Sequence, residues 1–196
     1  MNAMMNWLNK VPWYQSMRVT FSRRRIRYLE RSRKYVRDFV DIENARNVGL
    51  IVNINECTTE DIKTLRRYID QLKKGRKQVF LIELNFLKKS VPTFNSSVNS
   101  IFINPSKLNW LDFPVQSVEG KIRQYDLDIL MNFDESDRMT SKYLCSMANA
   151  KTRTGKHTAG FESCYELMVN FPIRSDVTRM KTKIKEFDYF LKMLEK

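Results

Sequence analysis

The chain has 196 residues and a formal net charge of +13 at neutral pH. This length fits one domain with an appendage, and the charge favours an acidic partner such as nucleic acid or an anionic membrane surface. Three cysteines without a CxxC pair indicate neither a disulfide framework nor a zinc site, and no apolar run is long enough to span a membrane, so we expect a cytoplasmic location.

The amino-terminal quarter is the most basic part of the chain. Residues 1–47 contain 11 lysines and arginines against four acids. Within them, residues 18–37, RVTFSRRRIRYLERSRKYVR, contain eight arginines and one lysine against Glu30 alone. We predict a basic helix here. Like charges four residues apart oppose an isolated helix, so the array favours an external anion that offsets them.

Arginine suits bidentate contacts with phosphate, and helical spacing places several of these cations on one face. The pattern predicts a polyanion-binding surface, with a merely solvated face as the alternative. The predicted contact residues are Arg23, Arg24, Arg27, Arg31 and Lys34.

From residue 48 onward, short apolar segments alternate with segments of helical period. Strands are predicted at residues 48–53, 78–84, 100–103, 127–133, 151–154 and 164–171, and helices at 58–75, 115–124, 138–149 and 177–194. Where a helix connects two successive strands, the two strands are expected to run parallel in one sheet.

This alternation predicts an α/β fold with three layers, in which a mostly parallel sheet carries helices on both faces. The basic N-terminal helix precedes it. We therefore divide the chain into a basic arm and helix, residues 1–47, and a single α/β domain, residues 48–196. Residues 85–114, with three prolines, interrupt the alternation and form a candidate lid or partner-contact element.

Ligands in open α/β sheets collect beyond the carboxyl ends of the strands. This rule nominates Asn55 and Glu56 after the first strand and Asp134 after the strand at 127–133. The alternative for Asp134 is that it turns the chain and caps the next helix.

A second basic concentration, KTRTGKHTAG at residues 151–160, lacks the glycine and the hydroxyl residue that a phosphate loop requires. It still offers an anion or ligand site, with a solvated basic loop as the alternative. The candidate residues are Arg153, Gly155, Lys156 and His157.

Six segments carry a resemblance to a known family: NVGLIVNINE, IDQLKKGRKQVFLIEL, KLNWLDFP, YDLDILMNF, NAKTRTGKH and YELMVNF. In this order, over about residues 44–194, they resemble an uncharacterised bacterial family of basic α/β proteins, a domain of unknown function. The resemblance implies an α/β fold and no particular activity.

Residues 125–157 are also similar to the first domain of heptosyltransferases, where an aspartate-bearing strand is followed by a helix and a basic RxG strand. In those enzymes a second domain binds the nucleotide sugar, and this sequence has no counterpart of it.

The sequence has no complete catalytic motif and indicates neither a cofactor nor a metal. The favoured function is non-enzymatic: an RNA-binding or ribosome-associated protein that contacts phosphates through its arginine-rich helix. One alternative is a transferase-derived module that binds a small phosphorylated ligand, a nucleotide or a sugar phosphate, at the strand ends. A second is a peripheral protein on an anionic membrane surface, because Trp7, Trp13 and Tyr14 precede the basic helix, as in interfacial anchors.

Overall fold

The computed structural model describes residues 11–32, 39–87, 91–94, 99–136, 138–171 and 179–193. The strands are β1 (Asn47–Asn53), β2 (Gln78–Leu84), β3 (Asn99–Ile103), β4 (Leu127–Asn132), β5 (Ala150–Lys156) and β6 (Leu167–Val169). The α-helices are α1 (Pro12–Ser32), α2 (Thr59–Lys74), α3 (Gln116–Arg123), α4 (Met139–Met147) and α5 (Arg179–Met193).

The six described strands form one sheet in the order β3-β2-β1-β4-β5-β6, and every neighbouring pair is parallel. Leu50 of β1 lies opposite Leu81 of β2 on one side and Met131 of β4 on the other. The strand order reverses between β1 and β4, so the carboxyl ends of these two strands form the switch point of the sheet.

Apolar side chains alternate between the two faces of the sheet and build two separate cores. On one face they pack against α2 and α5, represented by Leu65 and Phe187. On the other they pack against α1, α3 and α4, represented by Ile26, Ile122 and Leu144. The predicted three-layer α/β fold is confirmed, and the sheet is parallel throughout the described strands.

Helix α2 illustrates how local sequence sets an element. Thr58 Oγ1 accepts a hydrogen bond from the backbone NH of Asp61, and the Asp61 carboxylate accepts one from the NH of Thr58. This reciprocal capping box satisfies two NH groups that a helix start otherwise leaves unpaired. Its apolar residues then recur at helical spacing until Gly75, as the sequence predicted.

The last predicted strand differs from the observed one. The sequence predicts a strand over residues 164–171, whereas β6 covers only Leu167–Val169 and is preceded by a 3-10 turn at Glu162–Cys164. Cys164 and Tyr165 are buried in the apolar core, so this run of apolar residues is explained by tertiary packing rather than by a longer strand.

Helix α1 begins at Pro12, earlier than predicted; proline fits a helix start because its missing NH would have no partner there. Residues 33–37 of the predicted helix lie outside the described residues. Ile26 of α1 is buried in the same cluster as Ile51 of β1, so α1 packs onto the α/β body. The division of the chain after residue 47 stays a prediction.

Within the described ranges, no helix combines the length and the apolar character that crossing a bilayer requires.

Candidate nucleic-acid interface

Helix α1 has an inner face that packs against α4 and an outer face that is exposed. Tyr14, Ser22 and Ile26 are buried on the inner face. They are separated by eight and four residues, which is close to whole turns of a helix and places them on one face. The residues on the other side of α1 therefore point to solvent. The outer face is therefore held in a fixed position on the protein.

Five arginines lie on the exposed part of α1, and none forms an ion pair with a carboxylate of the described residues. Two of them lie near aromatic rings: the Arg23 guanidinium is 5.5 Å from the ring centroid of Phe161, and that of Arg25 is 5.6 Å from Tyr28. Lys34, which belongs to the predicted polyanion site, lies outside the described residues. The five arginines are Arg23, Arg24, Arg25, Arg27 and Arg31.

Arg18, nearer the start of α1, differs from these five because it holds the helix to a loop at residues 109–113. Its Nη2 lies 3.3 Å from Oδ2 of Asp112, and Ser22 Oγ donates a hydrogen bond of 3.3 Å to the carbonyl of Leu111. These two contacts fix the distance between α1 and the loop.

The 109–113 loop is shaped by its own polar residues. Asn109 Oδ1 accepts hydrogen bonds from the backbone NH groups of Leu111 and Phe113, which closes a tight turn. Asp112 has a φ of 61°, a conformation that aspartate tolerates better than most residues. The loop thereby presents Trp110 toward α1.

Large aromatic side chains are exposed along this side of the protein. Trp13 is 63% exposed and Tyr28 is 62% exposed, while Phe21 and Trp110 are exposed to a smaller extent. The ring centroids of Phe21 and Trp110 are 6.1 Å apart, and Tyr14 lies 6.4 Å from Trp110. Arginines and aromatic rings are thus interleaved on one surface, a composition that suits nucleic acid.

A groove of about 460 Å³ lies between α1 and the loop, and we call it the α1 groove. Helix α1 contributes Phe21, Arg24 and Arg25, and the opposite wall contains Leu111 and Phe113. Both walls of the groove therefore contain apolar side chains, and the wall formed by α1 also contains two guanidinium groups.

Tyr143 and Glu119 provide polar groups in the α1 groove. The Tyr143 hydroxyl donates a hydrogen bond of 2.6 Å to Oε1 of Glu119, and the Tyr143 ring stacks on Phe113 with centroids 3.8 Å apart. Burial, followed by the hydrogen bond to Glu119, raises the pKa of Tyr143 to about 12, while a hydrogen bond with Arg25, and then the charge of Arg25, act in the opposite direction. At neutral pH the tyrosine is therefore a hydrogen-bond donor.

Arg153, which the sequence nominated for an anion site, is instead buried in the interior. Its Nη1 lies 2.8 Å from Oε1 of Glu30, and its Nη2 lies 2.7 Å from Oε1 of Glu166. It also donates to the carbonyls of Cys145 and Ser163. The guanidinium is fully engaged by groups of the protein and joins α1, α4, β5 and the segment before β6.

The three neighbouring candidates lie at the carboxyl end of β5. Gly155 is buried, and a Cβ at this position would lie 2.6 Å from Cζ of Tyr165, so the glycine permits close packing of that ring. Lys156 is half-buried, and His157 is exposed, with its backbone NH donating to the carbonyl of Val169. Only the side chains of Lys156 and His157 reach the surface here.

The candidates at the ends of β1 and β4 form a polar network. Asn53 Nδ2 donates to Oδ1 of Asp134, and the backbone NH and hydroxyl of Ser136 also donate to Asp134, which turns the chain there. Asn55 Nδ2 donates to Oδ1 of Asn85, at 3.1 Å.

Glu56, the remaining candidate, accepts a hydrogen bond of 3.3 Å from the NH of Glu135. Burial and then the charge of Asp134 raise its pKa, so these two carboxylates lie close enough to interact. The structure thus brings Asn55, Glu56 and Asp134 to one edge, while the Arg153 side chain lies in the interior.

Of the five exposed arginines, the sequence nominated four for polyanion binding and not Arg25, and it did not indicate the groove beside them. No sequence motif marks the other groups of the groove, Phe21, Glu119 and Tyr143. Their proximity depends on how α1 packs against α3 and α4, which sequence spacing does not reveal. Trp110 lies in the interruption at residues 85–114, which was predicted as a lid or a partner-contact element. A tryptophan in such a loop was the signal in the sequence that could have indicated a binding surface here.

Comparison with known proteins gives a family and a distant structural similarity. The model of a family of unknown function, DUF6913, matches residues 19–194, which confirms the resemblance to an uncharacterised family. No curated protein matches the sequence. The chain is similar to the crystal structure of a glycosyl transferase family 9 protein from Veillonella parvula DSM 2008, with a TM-score of 0.49 and 14% identity over 76% of the chain. It spans 41% of that protein's length.

Proposed function

Since the chain belongs to DUF6913, a family of unknown function, we propose from its surface that it is a non-enzymatic RNA-binding protein that contacts phosphates through α1. One observation carries the proposal: five arginines on the exposed part of one helix lack a carboxylate partner among the described residues. Guanidinium groups bind phosphate oxygens in a bidentate manner, and arginine is the preferred cation for such contacts.

The position of α1 favours RNA over a membrane surface. An interfacial helix inserts an apolar face into the lipid boundary and keeps its charges on the other face. In α1 the apolar side, with Ile26 and Tyr14, is already buried against the protein, and the exposed side mixes arginines with aromatic rings. Such a surface can contact phosphates and bases without leaving the protein.

The strand ends support a small phosphorylated ligand less well. Asp134 and Asn55 are hydrogen-bonded to other residues of the protein, and Arg153 is enclosed by two carboxylates. The ligand alternative predicts that a nucleotide or a sugar phosphate raises the melting temperature. The RNA proposal predicts no such shift from a mononucleotide at the strand ends.

The test is the salt dependence of RNA binding, measured by fluorescence anisotropy with a labelled single-stranded oligonucleotide. Each phosphate contact releases counterions, so affinity falls as salt is raised from about 50 to about 200 mM. Changing Arg23, Arg27 and Arg31 to glutamine should weaken binding and reduce the slope of log affinity against log salt by about 2.

The matched control removes three exposed cations from the α2 and α5 side: Lys74, Arg76 and Lys185, each changed to glutamine. It alters the net charge by the same amount and should keep the slope of the parent. If both triple variants bound RNA equally well, α1 would not be the contact surface. Sedimentation with ribosomes at low and high salt extends the test to a ribosome-associated role.

A further inference from the structure

The α1 groove contains more than cationic groups. Phe21 and Phe113 line its walls, and the Phe21 ring lies 6.1 Å from that of Trp110 beside the groove. Phe21 is 45% exposed, so part of this residue is open to a ligand. A flat aromatic ligand can stack on such a ring, and every nucleobase has a π-face.

The polar groups of the groove also suit a base. Glu119 accepts a hydrogen bond from Tyr143 through Oε1, and Oε2 has no hydrogen bond to another described residue. A carboxylate oxygen in this position can accept a hydrogen bond from the exocyclic amino group of a base. Arg24 and Arg25, on the α1 side, can meet the phosphates that flank the base.

We propose that the α1 groove binds an unpaired nucleobase, so that the RNA partner is single-stranded where it meets the protein. This inference rests on the proposed function and goes beyond it, because arginines on a helix would bind the phosphates of a duplex equally well. In a duplex the bases are stacked and paired, and only an unpaired base can be turned out onto an aromatic side chain.

The same groups disfavour a lipid chain as the occupant. An acyl chain in the groove would cover the Glu119 carboxylate and the Arg24 guanidinium without pairing with either, and burying unpaired charge is costly. Charge complementarity therefore favours a nucleotide, which carries an anionic group next to an aromatic one.

The test compares a single-stranded RNA with a duplex of the same length and composition, bound to the full chain. The parent should bind the single strand at least about fivefold more tightly, the lower range of what stacking of one base contributes. Phe21→Ala should abolish this preference by lowering the affinity for the single strand. Phe21→Tyr, which keeps the ring, should bind like the parent.

Tryptophan fluorescence gives a second readout. Single-stranded RNA should quench the emission of the parent, and Trp110→Phe should lose a large part of that quenching. Tyr189→Ala, which removes an exposed ring on α5, is the matched control and should behave like the parent. Thermal unfolding of each variant establishes that it is folded.

The outcomes separate this inference from the proposed function. If both RNAs bind equally and Phe21→Ala changes neither affinity, the groove does not take a base, although α1 still binds phosphates. If neither RNA binds, the proposed function fails together with the inference. Binding to vesicles that contain anionic lipid, without binding to RNA, would overturn both and assign the surface to a membrane.

Discussion

Arg153 and Glu30 form a two-point contact inside the protein, with Nη1 to Oε1 at 2.8 Å and Nη2 to Oε2 at 3.2 Å. Glu30 is the single acid in the basic stretch of α1, and Arg153 lies in β5. Burial alone would lower the pKa of Arg153, but the hydrogen bonds and charges of Glu166 and Glu30 outweigh it and raise that pKa. The Arg153 guanidinium therefore keeps its charge, and its contact with Glu30 joins α1 to the sheet.

We predict that Glu30→Gln lowers the free energy of unfolding by about 3 kcal/mol, because removing one partner of a buried ion pair leaves the other charge poorly compensated. The loss lies near the lower end of the usual range since Glu166 still pairs with Arg153. Urea denaturation measures it.

Glu60→Gln is the control for this change. Glu60 lies on α2 and meets Lys63 and Arg67 at the surface, so its loss should change stability by less than about 1 kcal/mol. Equal effects of the two substitutions would mean that the Arg153 contact does not hold α1 in place.

Gly155→Ala should destabilise the protein by about 1 to 3 kcal/mol, since its new methyl group would overlap the Tyr165 ring. Gly120→Ala gives the contrast: apart from neighbouring residues of its own helix, no described atom lies within 4 Å of a Cβ there, and the position is inside α3, so stability should rise by about 0.5 to 1 kcal/mol. Thermal melts of both variants distinguish close packing from a general effect of glycine replacement. A destabilised Gly120→Ala would contradict this account.

The lowered pKa of Asp61 predicts that the free energy of unfolding depends on pH. Burial would raise its pKa, but hydrogen bonds from Thr58 and from the NH of Met180 outweigh burial, and the pKa lies below its usual value. The ionised carboxylate therefore stabilises the folded state above its unfolded pKa of about 4, and this contribution is lost as the pH falls through the folded pKa.

Asp61→Asn should accordingly cost about 1 to 2 kcal/mol at neutral pH, and the difference from the parent should narrow toward about pH 3. Asp70→Asn, at an exposed position of the same helix, should stay within about 0.5 kcal/mol of the parent at both pH values. A constant difference for Asp61→Asn across this range would show that its charge does not matter.

Local signals explain why much of the fold could be predicted. Helix α2 has a cap at Thr58, an apolar period and a stop at Gly75, and all of these depend on residues a few positions apart. Strand β2 was predicted with the bounds that the structure has, because a short apolar run between polar segments is typical of a buried strand. The sequence does not predict the 3-10 turn before β6. The apolar residues there resemble those of a strand, but they are apolar because they pack into the core.

The site depended on contacts that sequence spacing does not contain. Arg153 belongs to a basic segment, and its partner Glu30 lies 123 positions away, so its burial could not be inferred from its neighbours. The α1 groove likewise combines α1, the 109–113 loop, α3 and α4. Composition indicated a cationic helix, whereas the aromatic and carboxylate groups beside it followed only from the tertiary arrangement.

The attachment of α1 has an entropic consequence for the proposed RNA contact. A disordered basic segment would lose roughly 1 to 2 kcal/mol of backbone conformational freedom per residue as it became ordered on RNA. Helix α1 is already ordered, through Glu30 near one end and Arg18 near the other, so its arginines are preorganised. In the proposed RNA complex, the Glu30 carboxylate, which points away from solvent, would contribute to affinity through this preorganisation without touching RNA.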